Sequence, residues 1–201
     1  MTPPKTRPSS SRRALLTWWA ATVAAFIAAT LMVAGPALAA VRALAFDAAF
    51  QQFQQASATG DAKAIESAAE QFARLAVAEP GDPVLLAYSG AATTMRATTT
   101  LQPMRQVAFA DEGLGQLDKA LALLGPGHDS LLHRGIPASL ETRFVAATTF
   151  LRLPPTMNRH ARGVRLLDEV MKSPLLASAP AGFRGAVQAM NDKTKTREIK
   201  P

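Results

Sequence analysis

The side chains that could do chemistry are few and poorly grouped. His128, Asp129 and His133, in "GPGHDSLLHRG", are the one cluster of metal-ligand types. Their spacing fits no defined ligand motif and a glycine-rich loop is a poor rigid frame, so they read as polar loop residues. Asp111 and Glu112 are adjacent, but neighbours on a helix point about 100° apart and cannot work as a facing acid and base. Ser89, in "LAYSG", sits where a nucleophile turn would place its serine; position 87 is alanine rather than glycine, and no strand precedes it. There is no cysteine, which excludes disulfides, thiolate catalysis and cysteine-ligated metal. A hydrolase would need a buried polar constellation, such as His128 and His133 converging on a carboxylate, and the spacing offers none. The expectation is therefore no catalytic residue, no bound metal and no cofactor.

Binding chemistry is better represented. "TTMRATTTLQPMRQVAF" is unusual because β-branched Thr98, Thr99 and Thr100 weaken helix and Pro103 ends whatever precedes it. Tyr88, Arg96, Met104, Arg105 and Phe109 supply aromatic, flexible and cationic side chains of the kind enriched at interfaces, so they are the candidate partner-binding residues. The competing expectation is a broken helix in which Met104 and Phe109 are core. Arg152, Arg159, Arg162 and Arg165 bracket "LPPTMN" and form a second candidate, an anionic docking site. They do not share one helix face, and an Arg165 to Glu169 pair at i,i+4 spacing favours a solvated surface.

Helices must position these residues, because apolar positions recur at helical spacing nearly throughout. In "DAKAIESAAEQFARLAVAEP", Ile65, Ala68, Ala69, Phe72 and Leu75 form a stripe with Lys63, Glu66, Gln71 and Arg74 off it. Asp61 caps the start, Pro80-Gly81 stop the end, and Asp82-Pro83 cap and open the next helix. That helix has two apolar or small faces, Leu85, Tyr88, Ala92 and Met95 on one and Leu86, Gly90 and Thr93 on the other. It should lie sandwiched, with Gly90 admitting a close neighbour. Predicted helices are 42–58, 61–78, 83–98, 103–124, 138–152, 158–172 and 181–190, with an irregular loop of about 13 residues before Pro137. Alanine abundance with 6% aromatics points to an all-α fold packed through small side chains. The final "NDKTKTREIKP" has little to bury and reads as a flexible basic tail, 192–201.

Gly60, Ala68, Phe72, Pro80 and Gly90 stand at the spacings of the tetratricopeptide repeat, which the chain resembles over about residues 45–172. Leu86 takes the large position of the next helix, whereas Thr93 departs from the expected aromatic. Gly115, Ala120 and Leu124 form a weaker second match, and Phe144, Ala147 and Leu151, followed by Leu167 and Val170, a third. The 34-residue period is broken by the threonine-rich insertion and the loop before Pro137. The resemblance implies antiparallel helix hairpins stacked as a short TPR-like superhelix, acting as a protein-binding scaffold without an active site.

The compartment is read from the front of the chain. A basic "MTPPKTRPSSSRR", an uncharged 21-residue run from Ala14 to Ala34 and "GPALAA" are the parts of a signal peptide cleaved after Ala39, or of a retained membrane anchor. "SRRALL" resembles the start of a twin-arginine signal. The expected domains are thus a leader, 1–40, a helical domain, 41–191, and the tail. Of the 22 Lys and Arg, four precede the apolar run, and the remaining 18 against 15 Asp and Glu leave +3, too little for a nucleic-acid binder. The expected role is an exported, non-enzymatic scaffold binding a protein or peptide in the cell envelope, periplasmic or on the outer face of the cytoplasmic membrane. The alternative is a single-pass accessory subunit of a transporter or envelope assembly system, tethered by residues 14–34.

Overall fold

The structure, a computed structural model, describes residues 38–199. The expected leader run 14–34 and the last two residues of the expected tail lie outside that range. The chain divides after Leu44. In the first unit, the described residues 38–44 are helical, with Leu38, Val41 and Leu44 exposed. Everything below concerns the second unit, from Ala45 onward.

Among the described residues from Ala45 onward, seven α-helices run in chain order: α1 (45–59), α2 (Ala62–Ala78), α3 (Pro83–Arg96), α4 (Pro103–Ala122), α5 (Ala138–Arg152), α6 (His160–Lys172) and α7 (Ala181–Ile199). With four short 3-10 turns, 83% of the described residues are helical, so sequence-local hydrogen bonds supply most backbone pairing and tertiary packing is left to side chains. Capping sets the boundaries. Asp61 Oδ1 accepts from Ala64 N at 2.9 Å to start α2, and Asp82 Oδ1 accepts from Val84 N and Leu85 N at 2.9 and 3.3 Å to start α3, with Pro83 in its first turn. Gly60, at φ +68°, makes the turn between α1 and α2.

α3 is the centre of the unit, buried on nearly every side from Pro83 to Thr94. It packs on α2, α4 and α5, while α5 packs in turn on α6 and α7. The odd-numbered helices α3, α5 and α7 thus lie side by side as an inner row, and α2, α4 and α6 back them. Small residues set the spacing. A Cβ on Gly90 would stand 2.7 Å from Gly113 O, and one on Gly113 would stand 2.5 Å from Gly90 O and overlap the Thr94 hydroxyl, so the α3 and α4 backbones touch. Gly90 was legible as a close-approach site, but its partner is Gly113; Gly115, named in the repeat match, has open space around it. Gly163 plays the same part for α6, where a Cβ would meet Leu151 Cγ at 2.9 Å.

Three expectations are corrected. Helix α3 ends at Arg96, and Ala97–Thr99 tighten into a 3-10 turn. The segment before Pro137 holds a two-stranded hairpin, β1 (Leu132–His133) and β2 (Ile136–Pro137), with His133 opposite Ile136. Arg134 and Gly135, at φ 52° and 76°, form its two-residue turn, the mirror-image geometry that matches strand twist. The expected flexible tail is helical to Ile199: Val187 and Thr194 are buried, and Arg197 Nη1 donates to Leu151 O at 3.5 Å, so α7 has a face to bury well beyond residue 190. Among the described residues no helix is long and apolar enough to cross a membrane.

Candidate functional site

The inner row leaves a cavity of about 1400 Å³. Phe50 and Phe53 of α1, Tyr88 and Met95 of α3, Val107 and Ala110 of α4, Phe144, Thr148 and Thr149 of α5, and Phe183 and Met190 of α7 all line it. The lining surface is mostly apolar, with threonines and glutamines interspersed and charged groups at Arg134, Glu141 and Arg152. Aromatic rings wall one side: Tyr88 stacks on Phe72 at 4.8 Å and takes Phe53 edge-on at 5.1 Å and Phe50 edge-on at 5.6 Å.

A polar network sits on that aromatic wall. Tyr88 Oη donates to Glu141 Oε1 at 2.7 Å, and Arg134 Nη2 both forms an ion pair with the same oxygen and donates to Tyr88 Oη at 3.4 Å. The Arg134 guanidinium lies 3.4 Å from the Phe50 ring centroid, a close cation–π contact. The hairpin turn makes this possible, because the left-handed conformation of Arg134 delivers a long cation from a two-residue loop to a carboxylate on the first turn of α5. A non-glycine residue in that region is uncommon and is held here by the contacts of its side chain. Glu141 is 1% exposed, and its Oε2 has no hydrogen-bond partner among the described residues. Burial raises its pKa, opposed by Arg134 and Tyr88, and burial together with the Glu141 charge lifts Tyr88 well above the ordinary phenol value. Tyr88 is therefore a neutral donor, and the carboxyl is its fixed acceptor.

A second pair anchors the hairpin from outside the cavity. His133 Nε2 lies 2.8 Å from Asp82 Oδ2, and the His133 ring is 4.9 Å from that of Phe46. Burial alone would raise the Asp82 pKa and lower that of His133; their mutual attraction outweighs it, so Asp82 is lowered and His133 raised. Asp82 thereby joins two elements, capping α3 with one oxygen and holding the hairpin with the other. Neither residue lines the cavity, so the pair is placed as a strut and not as a base facing a ligand.

The sequence candidates are divided by the structure. Tyr88 is in the cavity wall. Arg96 pairs with Glu66 at 3.0 Å and lies 4.3 Å from the Phe109 ring centroid, so those two meet each other away from the cavity lining. Met104 and Arg105 are exposed on the first turn of α4 and do not line it either. His128 and His133 separate: His128 Nδ1 accepts from Gly125 N at 2.9 Å within its own turn. Among the described residues no three metal-ligand side chains come together. Glu169 pairs with Arg143 at 3.5 Å instead of Arg165, and Arg159 and Arg162 both pair with Asp118. The buried constellation that spacing did not offer exists after all, as Tyr88, Arg134 and Glu141 with Asp82 and His133 behind. The one local signal for it was Gly135 after Arg134, half of a hairpin-turn signature.

No protein-family profile, curated protein or solved structure matches the chain.

Proposed function

We propose that the chain is an exported, non-enzymatic binding module of tetratricopeptide-like construction, whose inner row of helices holds an apolar peptide segment of a protein partner in the cell envelope. The cavity is the observation that carries the reading. Its volume of about 1400 Å³ exceeds the range of about 300–1,000 Å³ common for small-molecule pockets, and it is lined along α1, α3, α5 and α7, a run that suits an extended strand or a short amphipathic helix. Met95, Met157 and Met190 in the lining suit side chains of varied shape. The polar groups on the wall bind one another, which gives a rigid floor in place of a poised nucleophile. Gly60, Ala68, Phe72, Pro80 and Gly90, with the order of packed neighbours, support the repeat reading; the basic, apolar and small-residue parts of the leader support export.

Site-specific photocrosslinking tests this reading. The full chain is expressed in an export-competent bacterium with benzoylphenylalanine in place of Thr149, in the cavity, or of Arg74, exposed on α2. A discrete protein adduct from position 149 and none from position 74 is expected, and Thr148→Trp, which narrows the cavity beside that position, should weaken it. Equal labelling from both positions would contradict the proposal. The intact mass of soluble and membrane species then separates a free periplasmic binder from a tethered accessory subunit, since only the latter retains residues 14–34.

A further inference from the structure

One end of the cavity carries charge that the fold itself does not use. Arg152, in the last turn of α5, lines the cavity and also a small depression of about 10 Å³ beside it, around which His160 of α6 and Lys193 and Arg197 of α7 stand as exposed side chains. Met190 and Thr194 complete its floor, and none of the described residues lining it is acidic. Thr194 is already satisfied, its hydroxyl donating to Met190 O at 2.8 Å. Arg197 has one hydrogen bond, to the carbonyl of Leu151. Among the described residues, Arg152, His160 and Lys193 make no ion pair. Cations near a helix C-terminus interact favourably with its partial negative charge, which accounts for Arg152 and Arg197 standing where they do. It does not account for Lys193 standing beside them, because like charges gathered without a counter-charge repel.

The contrast with the neighbouring arginines is direct. Arg159 and Arg162 are drawn onto Asp118, Arg159 at 3.2 Å, and both guanidiniums lie over the Phe150 ring at 5.7 and 5.2 Å. That arginine pair shares one internal carboxylate, which offsets part of its charge. The depression beside the cavity has the same kind of side chains and no Asp118.

We propose that the depression formed by Arg152, His160, Lys193 and Arg197 is an acidic-peptide subsite, which takes Asp or Glu side chains flanking the apolar segment held in the cavity. The inference rests on the groove reading given above and adds the charge and polarity of the partner to it. Arg152 belongs to both surfaces, so a peptide leaving the cavity at the C-terminal end of α5 passes directly over the cluster. Guanidinium is suited to paired recognition of carboxylate, and because the four side chains are exposed the attraction is salt-sensitive and costs little desolvation. A membrane surface is the poorer match. Among the described residues from Ala45 onward, the exposed large apolar residues, Val77, Leu101, Met104, Val107, Leu131 and Leu132, all lie on elements other than α5, α6 and α7, which carry the cluster.

The test uses the full chain in mild detergent and a fluorescein-labelled hexaglutamate peptide, followed by anisotropy at low salt. Wild type should bind, with affinity falling about tenfold as ionic strength rises from about 0.05 to 0.3 M. The pair Arg152→Glu and Lys193→Glu should weaken binding by about tenfold or more. The pair Arg105→Glu and Arg165→Glu, an identical change of net charge at other exposed positions, should leave it within about twofold. Equal loss in both pairs would reduce the effect to net charge and overturn the subsite, as would absence of hexaglutamate binding to wild type. Preferential binding to phosphatidylserine vesicles, abolished by Arg152→Glu and Lys193→Glu, would also overturn it in favour of a lipid surface. The two proposals fail separately: a position-149 crosslink without hexaglutamate binding keeps the groove and removes the subsite. Hexaglutamate binding at the cluster without that crosslink keeps an acidic site and removes the groove.

Discussion

Arg134 and Arg152 line the same cavity and differ in what surrounds them. Arg134 is pinned from every direction: a strained turn delivers it, Phe50 lies beneath it, Tyr88 and Glu141 bind it, and its side chain is 25% exposed. Arg152 stands at the rim with three more basic residues around one depression and no carboxylate in its lining. The first arrangement closes its own charge, and its effect is on stability. The second leaves charge open, and its effect must appear only when something anionic arrives. Desolvation explains why the two cannot be exchanged. A charge inside must be matched or the protein does not fold, whereas a charge at the rim keeps enough water to remain unmatched.

Stability measurements should therefore rank the two regions far apart. Glu141→Ala leaves the Arg134 cation and the Tyr88 hydroxyl without their acceptor and should cost about 3–5 kcal/mol by urea denaturation, the largest effect expected of any substitution at the floor. An unchanged midpoint would place Arg134 in water and break the comparison at its first term. His133→Ala removes the strut between hairpin and α3 and should cost about 2 kcal/mol. Tyr88→Phe deletes one hydroxyl while Arg134 still serves Glu141, so about 1 kcal/mol is expected. Arg152→Glu with Lys193→Glu gives up the attraction of Arg152 for the C-terminus of α5 and should cost about 0.5 kcal/mol, the smallest stability effect of the four, while changing binding most.

The strut also sets a pH window. His133 is raised above its ordinary 6.5, so its contribution is fully present below that value and is lost as pH rises through the raised one. Asp82 is lowered from 3.8, so its contribution is present above that value and is lost as pH falls through the lowered one. Glu141, raised by burial, and Arg134 act on the same imidazole with opposite sign. Stability of the wild type should thus decline on the alkaline side of about pH 6.5 more steeply than that of His133→Ala. Parallel pH profiles would show that the pair carries no such coupling.

Most of the helical framework could be read from local signals. Asp61, Asp82-Pro83 and Pro103 mark starts that the backbone obeys, and Gly90 announced a close crossing. What could not be read was long-range. Tyr88 and Glu141 are 53 residues apart, and Tyr88 and Arg134 are 46 apart. On its own helix Glu141 looks like an ordinary first-turn acid favoured by the dipole. The hairpin that brings Arg134 across has only two residues per strand, too short for an alternating pattern, and its turn puts arginine where asparagine or glycine would have given the signal. The C-terminal segment misled for a related reason. Its sequence is polar, and the face it buries, Val187 and Thr194, shows only once α5 and α6 are packed against it. Of the five residues picked for binding, Tyr88 reached the cavity because it lies on a regular helix. Arg96 stands at the end of α3, and Met104, Arg105 and Phe109 follow the break after it, whose direction no local pattern fixes.

The most direct test of the central claim, that the inner row of helices is where the partner sits, is amide hydrogen exchange on the full chain with and without the partner identified by crosslinking. Added protection is expected at residues 144–149 and 183–190, the segments of α5 and α7 that border the cavity, with residues 66–77 on α2 unchanged. Protection confined to α2 or α6, with the cavity helices unaffected, would contradict it.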